Sequence, residues 1–251
     1  QSLTQALALE KQNTLNVSAQ PQQQTAVQLK QKVTTNEVES NKSSQQLIAL
    51  NIQFYDPKEF LNSVNQSVSV PFFKLCQLFL DKSIDLCVKH YQLDPTVIQV
   101  DQIFNAEGAT LSTMGEQENA LECLMMIGAV FQLLSDVLYK RYREDKRFAL
   151  QTRGAVASAV EAMQLDAIES AKRLTQHLSA KEAALHLNHD QLKLIQNCYD
   201  LVAMPNPSNI MTRHAFMIHG MNEDCAKLAQ NLRTEILMGK KAKVATDTST
   251  L

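Results

Sequence analysis

The densest chemistry in this chain of 251 residues is a run of cations. Lys140, Arg141, Arg143, Lys146, Arg147 and Arg153 stand against Glu144 and Asp145, so six positive charges less two negative ones leave +4 across residues 140–153. Such a stripe can track a phosphate backbone, with Tyr139 or Tyr142 available to stack on a base. The default reading is a solvated helix face. Lys140–Glu144 and Arg141–Asp145 then pair at i,i+4 spacing, each giving only tenths of a kcal/mol. The whole chain carries 24 Lys and Arg against 26 Asp and Glu, a formal charge of -2. A dedicated nucleic-acid domain is basic overall, so nucleic acid is a secondary reading of these six candidates for partner contact.

Histidine and cysteine form two further groupings: His186 and His189 with Cys198, and His214 and His219 with Cys225. Zinc sites draw four ligands from tight pairs such as Cys-x-x-Cys, and no such pair occurs. His214 and His219, five apart, would sit about 140° apart around a helix. No metal site and no cofactor is expected. Strings of the types Gly-x-Ser-x-Gly, Gly-x-x-x-x-Gly-Lys-Ser/Thr and His-Glu-x-x-His are missing. The acid pairs Asp81/Asp85 and Glu116/Glu118 suit helix surfaces and first turns. The chain is therefore expected to be no enzyme and to have no catalytic residue. Five cysteines, an odd number without short spacing, read as buried thiols in a reducing compartment.

The elements that would position these groups read as helices. Six Gly, six Pro and no Trp argue against a β-sandwich or barrel and against a glycine-cradled nucleotide site. Asp56-Pro57-Lys58-Glu59 has the order of a helix start, and Ser69-Val70-Pro71 offers another. Phe72, Leu75, Cys76, Phe79, Leu80, Ile84, Cys87, Val88 and Tyr91 form one apolar stripe over 71–92. Residues 105–115 read as a loop. Thr113 to Glu116 reads as a capping box before a long helix striped by Leu121, Leu124, Met125, Gly128, Phe131, Leu134, Leu138 and Tyr142. Ala155, Ala159, Ala162, Met163, Ala167 and Ala171, around Gly154, read as a small-residue helix face. Ser179 to Glu182 is a further capping box, Asn188 and Asn209 are later caps, and the last helix runs from Asn222 to Gly239. Met211, Met217 and Met221 flank an expected helix over 205–222 and default to core packing. No run of eighteen apolar residues is present, so no transmembrane segment is expected.

Residues 178–188, Leu-Ser-Ala-Lys-Glu-Ala-Ala-Leu-His-Leu-Asn, resemble the first half of an excisionase-type helix-turn-helix. The second half departs from it: His189 replaces an apolar turn residue, and residues 190–197 offer only Lys193 as a cation.

Eleven of the 25 Gln lie between Gln1 and Gln46, a stretch without Gly or aromatic residues. The expected organisation is a Gln-rich N-terminal arm over 1–55, an all-α multi-helix bundle over 56–239, and a basic, polar tail over 240–251. The arm is too polar to offset its own ordering entropy and is expected to be extended or to lie on a partner. The start at Gln-Ser-Leu suggests a processed or partial chain. Together these features point to a non-enzymatic helical subunit of a large assembly with protein partners, foremost a processed virion protein in the virion or cytoplasm. The alternatives are a subunit of a bacterial secretion machine and a nucleic-acid-binding regulator using residues 140–153.

Overall fold

A computed structural model describes residues 47–146 and 148–239, the side chains of residues 145 and 146 excepted. The leading 46 residues of the expected arm and the expected tail over 240–251 lie outside the described residues.

The all-α expectation is overturned by one seven-stranded mixed sheet. Its strands are β1 (Leu47–Tyr55), β2 (Gln99–Asn105), β3 (Gly108–Met114), β4 (Gln151–Ser158), β5 (Ala183–His186), β6 (Tyr199–Ala203) and β7 (Phe216–Met221), in the order β2-β3-β1-β4-β5-β7-β6. The helices are α1 (Phe60–Ser63), α2 (Gln66–His90), α3 (Ala120–Lys146), α4 (Ala167–Gln176), α5 (His189–Ile195), α6 (Ile210–Arg213) and α7 (Glu223–Met238). Only β4 and β5 run parallel; every other neighbouring pair is antiparallel.

β1 occupies the last nine residues of the stretch read as an arm, and it pairs with both β3 and β4. Its period of two is sharp. Ile48, Leu50, Ile52 and Phe54 enter the main core beneath α2 and α3, whereas Ala49 packs in a separate cluster with Ala157, Ala167 and Ala171. Those four alanines are 1% exposed or less, which lets α4 lie close against β1 and β4. Of the small-residue face read from the sequence, only Ala167 and Ala171 join this contact; Ala155 lies on β4 in another cluster and Ala162 is exposed, so no single helix carries that face.

Several local expectations survive. The 71–92 stripe lies on α2, with Phe72, Cys76, Leu80, Cys87 and Val88 buried. The helix starts earlier than Pro71, at an Asn65 cap that accepts from the Ser67 N–H at 2.9 Å. Asn188 and Asn209 both form capping boxes, and α7 runs from an Asn222 cap to Gly239 at φ 61. Other starts are turns. Asp56 accepts from the Phe60 and Leu61 N–H groups but opens only four residues of helix, and Glu182 caps the Ser179 N–H ahead of a strand. The 105–115 loop is the β2–β3 hairpin, and the 205–222 helix is α6 followed by β7. The residues resembling a helix-turn-helix contain β5, so that resemblance does not hold.

By length and composition, Ala120–Glu144 could cross a membrane. Here Leu121, Leu124, Met126, Ile127, Phe131 and Leu134 are fully buried, and α3 packs against the sheet, α2 and α7. Its apolar character is that of a core helix.

Candidate active site

A polar concavity lies where α4 faces the end of β1 and the β2–β3 hairpin. It is a groove of about 330 Å³ lined by Gln53, Phe54, Ala106, Glu107, Glu169, Lys172 and Gln176. The hairpin brings Glu107 to it through Gly108, whose φ of +96° an L side chain rarely adopts. α4 brings Glu169, Lys172 and Gln176 on successive turns from an Asp166 cap that accepts the Glu169 N–H at 2.8 Å.

Hydrogen bonds fix this wall. Lys172 Nζ donates to Gln102 Oε1 at 3.1 Å, and Gln53 Nε2 donates to the Lys172 carbonyl at 3.3 Å. Arg153 Nη2 reaches Gln53 Oε1 at 3.4 Å. One layer deeper, Asn51 is fully buried and donates to the Ala109 carbonyl at 3.2 Å and to Thr110 Oγ1 at 2.9 Å. Its Oδ1 has no partner among the described residues. Glu169 accepts from Arg173 Nε at 2.7 Å on the exposed side of α4. The groove therefore combines two carboxylates, one ammonium and a set of amides. That set can bind a polar, phosphate-bearing molecule through Lys172 and take up a proton at a carboxylate.

The six cations read from the sequence do not form one site. Lys140, Arg141 and Arg143 lie on the solvent-facing end of α3, where Arg143 stacks on Tyr139 with its guanidinium carbon 5.9 Å from the ring centre. The Lys146 side chain and all of Arg147 lie outside the described residues. Arg153 belongs to β4. Its guanidinium lies 5.6 Å over the Tyr55 ring and donates to the Leu178 and Gln176 carbonyls at 2.7 and 3.3 Å. Partial burial pushes its pKa down, with Tyr55 opposing. It joins β1, β4 and the end of α4. Lys140–Glu144 is not among the ion pairs of the described residues.

The histidine and cysteine groupings also separate. Cys198 and Cys225 form a disulfide, which corrects the expectation of free thiols for these two. Cys76, Cys87 and Cys123 are buried and free, and burial pushes the Cys123 thiol up to about 12. Among the described residues no three His, Cys, Asp or Glu side chains gather closely enough to hold a metal ion by themselves. His186 and His214 instead line a second groove, of about 540 Å³, at the carboxyl ends of the parallel strands β4 and β5. Burial lowers the His186 pKa, and His214 adds to that.

Sequence reasoning passed over Glu107, Glu169, Lys172 and Gln53 because they have no motif spacing. The available signal was the alternation of Leu47–Tyr55, which places Asn51 and Gln53 on the face opposite Ile48, Leu50 and Ile52.

No family model and no curated protein matches the sequence. The fold, in contrast, is that of nucleotidyl cyclase domains. The adenylyl cyclase CyaB from P. aeruginosa superposes with a TM-score of 0.50 over 71% of this chain and 96% of that chain, at 11% identity. The guanylyl cyclase Cya2 gives 0.48 over 70% and 93%, at 10% identity. The guanylyl cyclase domain of the RhoGC fusion protein from the fungus Blastocladiella emersonii, as a double mutant, gives 0.48 over 71% and 97%, at 10% identity. The mixed sheet and this likeness overturn the reading as a non-enzymatic helical virion subunit, which rested on an all-α fold. At such identity the likeness establishes the fold alone.

Proposed function

We propose that this chain is a nucleotidyl-cyclase-type enzyme that takes a purine nucleoside triphosphate at the groove between α4 and the β2–β3 hairpin. The observation that carries the reading is the fold shared with the P. aeruginosa adenylyl cyclase over nearly all of that chain. In this reaction the ribose 3′ oxygen bonds to the α-phosphorus, the α-phosphorus bond to the bridging oxygen breaks, and pyrophosphate leaves. The 3′ hydroxyl proton passes to a base. Lys172 is the cation placed to meet phosphate oxygens, and Glu107 is a carboxylate at the same groove to accept a proton.

Phosphoryl chemistry draws on divalent cations to neutralise charge as it develops. Mg²⁺ is commonly held by one or two carboxylates together with substrate phosphates, and Glu169 would supply one such carboxylate while Glu107 is left as the base. The donor set fits, with substrate completing it. Glu169 would have to leave its 2.7 Å pair with Arg173 to take part.

The test is direct. The full chain is incubated with ATP or GTP and Mg²⁺ or Mn²⁺, and cyclic nucleotide and pyrophosphate are separated by chromatography. Lys172→Ala and Glu107→Gln should each lower kcat/KM by about tenfold to a hundredfold, the worth of one charged hydrogen bond. A folded chain that makes neither product with any pairing sinks the proposal. Association with protein subunits is also proposed, and the native mass of the same preparation reads it out.

A further inference from the structure

A cavity of about 210 Å³ lies between α3 and the sheet, apart from the groove above. Strand register explains it. β5 pairs with β7 only at Ala184↔Met217 and Leu185↔Phe216, while β7 continues along β6 as far as Met221. On its other side β5 stays paired with β4 down to Gly154↔Ala183. The sheet therefore opens as a wedge beyond Ala184, and α3 roofs the opening.

Glycines keep the wedge unfilled by protein atoms. Gly128, Gly154 and Gly220 all line it. A Cβ built on Gly220 meets no heavy atom within 4 Å, and one on Gly128 comes no nearer than 3.5 Å, to Leu50. Interiors are normally close-packed, so apolar space of this size gives up contacts that a ligand can restore. A dry cavity of about 150 Å³ takes a benzene ring, and drug-sized sites begin near 300 Å³. The fit is one ring with a short extension.

The polar end is set by donors. Among the lining residues, Gln132 is already committed: its Oε1 accepts from Thr152 and its Nε2 donates to Ser135. Lys181 and His219 also line the cavity. The Lys181 ammonium meets both Asp136 oxygens, at 3.1 and 3.2 Å, and carries three donors. The complement to these groups is an anionic acceptor.

We infer that this wedge binds a small aromatic monocarboxylate, with its ring between α3 and the splayed strands and its carboxylate at Lys181 and His219. This inference does not depend on the proposed activity. The full chain is titrated with benzoate and 3-phenylpropionate, and with benzamide as the neutral comparison, following the ligand-induced rise in Tm and the methionine methyl signals. A saturable rise with the acids is expected, and Lys181→Gln should weaken it about tenfold. Gly220→Val, growing into open space, should abolish it with the fold kept. Gly128→Ala, whose Cβ makes ordinary contact with Leu50, is the second filling variant and should weaken binding. Absence of saturable binding by either acid, equal binding of benzamide, or undiminished binding by both filling variants overturns the inference.

Discussion

Gly108 makes the sharpest test of how this fold carries its groove. A Cβ at that position would lie 1.9 Å from the Ile52 carbonyl oxygen and 2.9 Å from both Gln53 Cα and the Ile52 carbonyl carbon. All three are backbone atoms, so no rotamer change relieves the overlap. The φ of +96° adds about 1–3 kcal/mol for any L residue. To escape, the β2–β3 hairpin must move off β1 by about 1 Å, which strains the Ile52↔Ala109 pairing and the Asn51 bond to the Ala109 carbonyl. Losing or stretching those bonds costs about 0.5–1.5 kcal/mol each. Gly108→Ala should therefore destabilise by about 3–5 kcal/mol. For a domain of this size that lowers Tm by roughly 6–20 °C. Urea titration followed by circular dichroism measures the loss, and Gly220→Ala is the control. Its Cβ meets nothing within 4 Å, so it should change stability by less than about 1 kcal/mol. Because Glu107 precedes Gly108, the same variant should weaken nucleotide binding at the groove. A Gly108→Ala protein melting within about 2 °C of the parent would refute the steric argument.

Phe72 is 1% exposed and packs on Phe54, Tyr142 and Phe148 at ring separations of 5.2 to 5.5 Å; Phe72→Ala should cost about 3–5 kcal/mol by chemical denaturation, and a loss under about 1 kcal/mol would remove it from the core. His186 is held below its ordinary value of 6.5, so the folded state binds its proton less readily than the unfolded chain does. Stability should be complete above that unfolded value and fall as pH drops through it toward the lower folded value; urea midpoints should show this drop, His186→Gln should flatten it, and an unchanged drop in the variant refutes the assignment. Deleting residues 1–55 removes a strand paired on both sides, so that truncation should abolish the cooperative melt, opposite to what a detachable arm would give. A truncated chain with a native spectrum and a sharp transition would contradict the central place of β1.

The helices were legible because each carries its own signals. The stripes of α2 and α3 repeat over many turns, and the Asn188, Asn209 and Asn222 caps are local hydrogen bonds that hold in any fold. The sheet was not legible, for two physical reasons. β1 alternates but lies inside the Gln-rich stretch, β5 and β6 are only four and five residues long, and β3 and β4 bury small polar side chains: Thr110, Ser112 and Thr113 in β3, and Thr152 and Ser158 in β4, are all buried. Such strands lack the apolar alternation that identifies a half-exposed one. Scarce glycine also misled, since apart from the β2–β3 hairpin at Gly108 and the end of α7 at Gly239, positive φ is carried by other residues. Gln92, Asn119, Gln164, Lys181 and Asn206 all adopt positive φ without being glycine.

The groove was harder to foresee than the fold, because its residues meet only through strand order. Gln53 lies on β1, Glu107 on the turn of the β2–β3 hairpin whose strand β3 is the neighbour of β1, and Glu169 and Lys172 on a helix that follows β4. No spacing in the chain relates them, and only the antiparallel pairing of β1 with β3 places Ile52 opposite Ala109 and so sets Glu107 near Gln53. The basic run at 140–153 shows the converse. Its members are neighbours in sequence, yet the chain turns from α3 into β4 within it, so Arg143 faces solvent while Arg153 reaches across the sheet to Gln53 and the end of α4. Among the described residues of that run, Arg153 is the one that touches the groove's wall, and it does so through β4 rather than through the run. Charge density along the chain therefore marked a surface, whereas pairing across the sheet assembled the site.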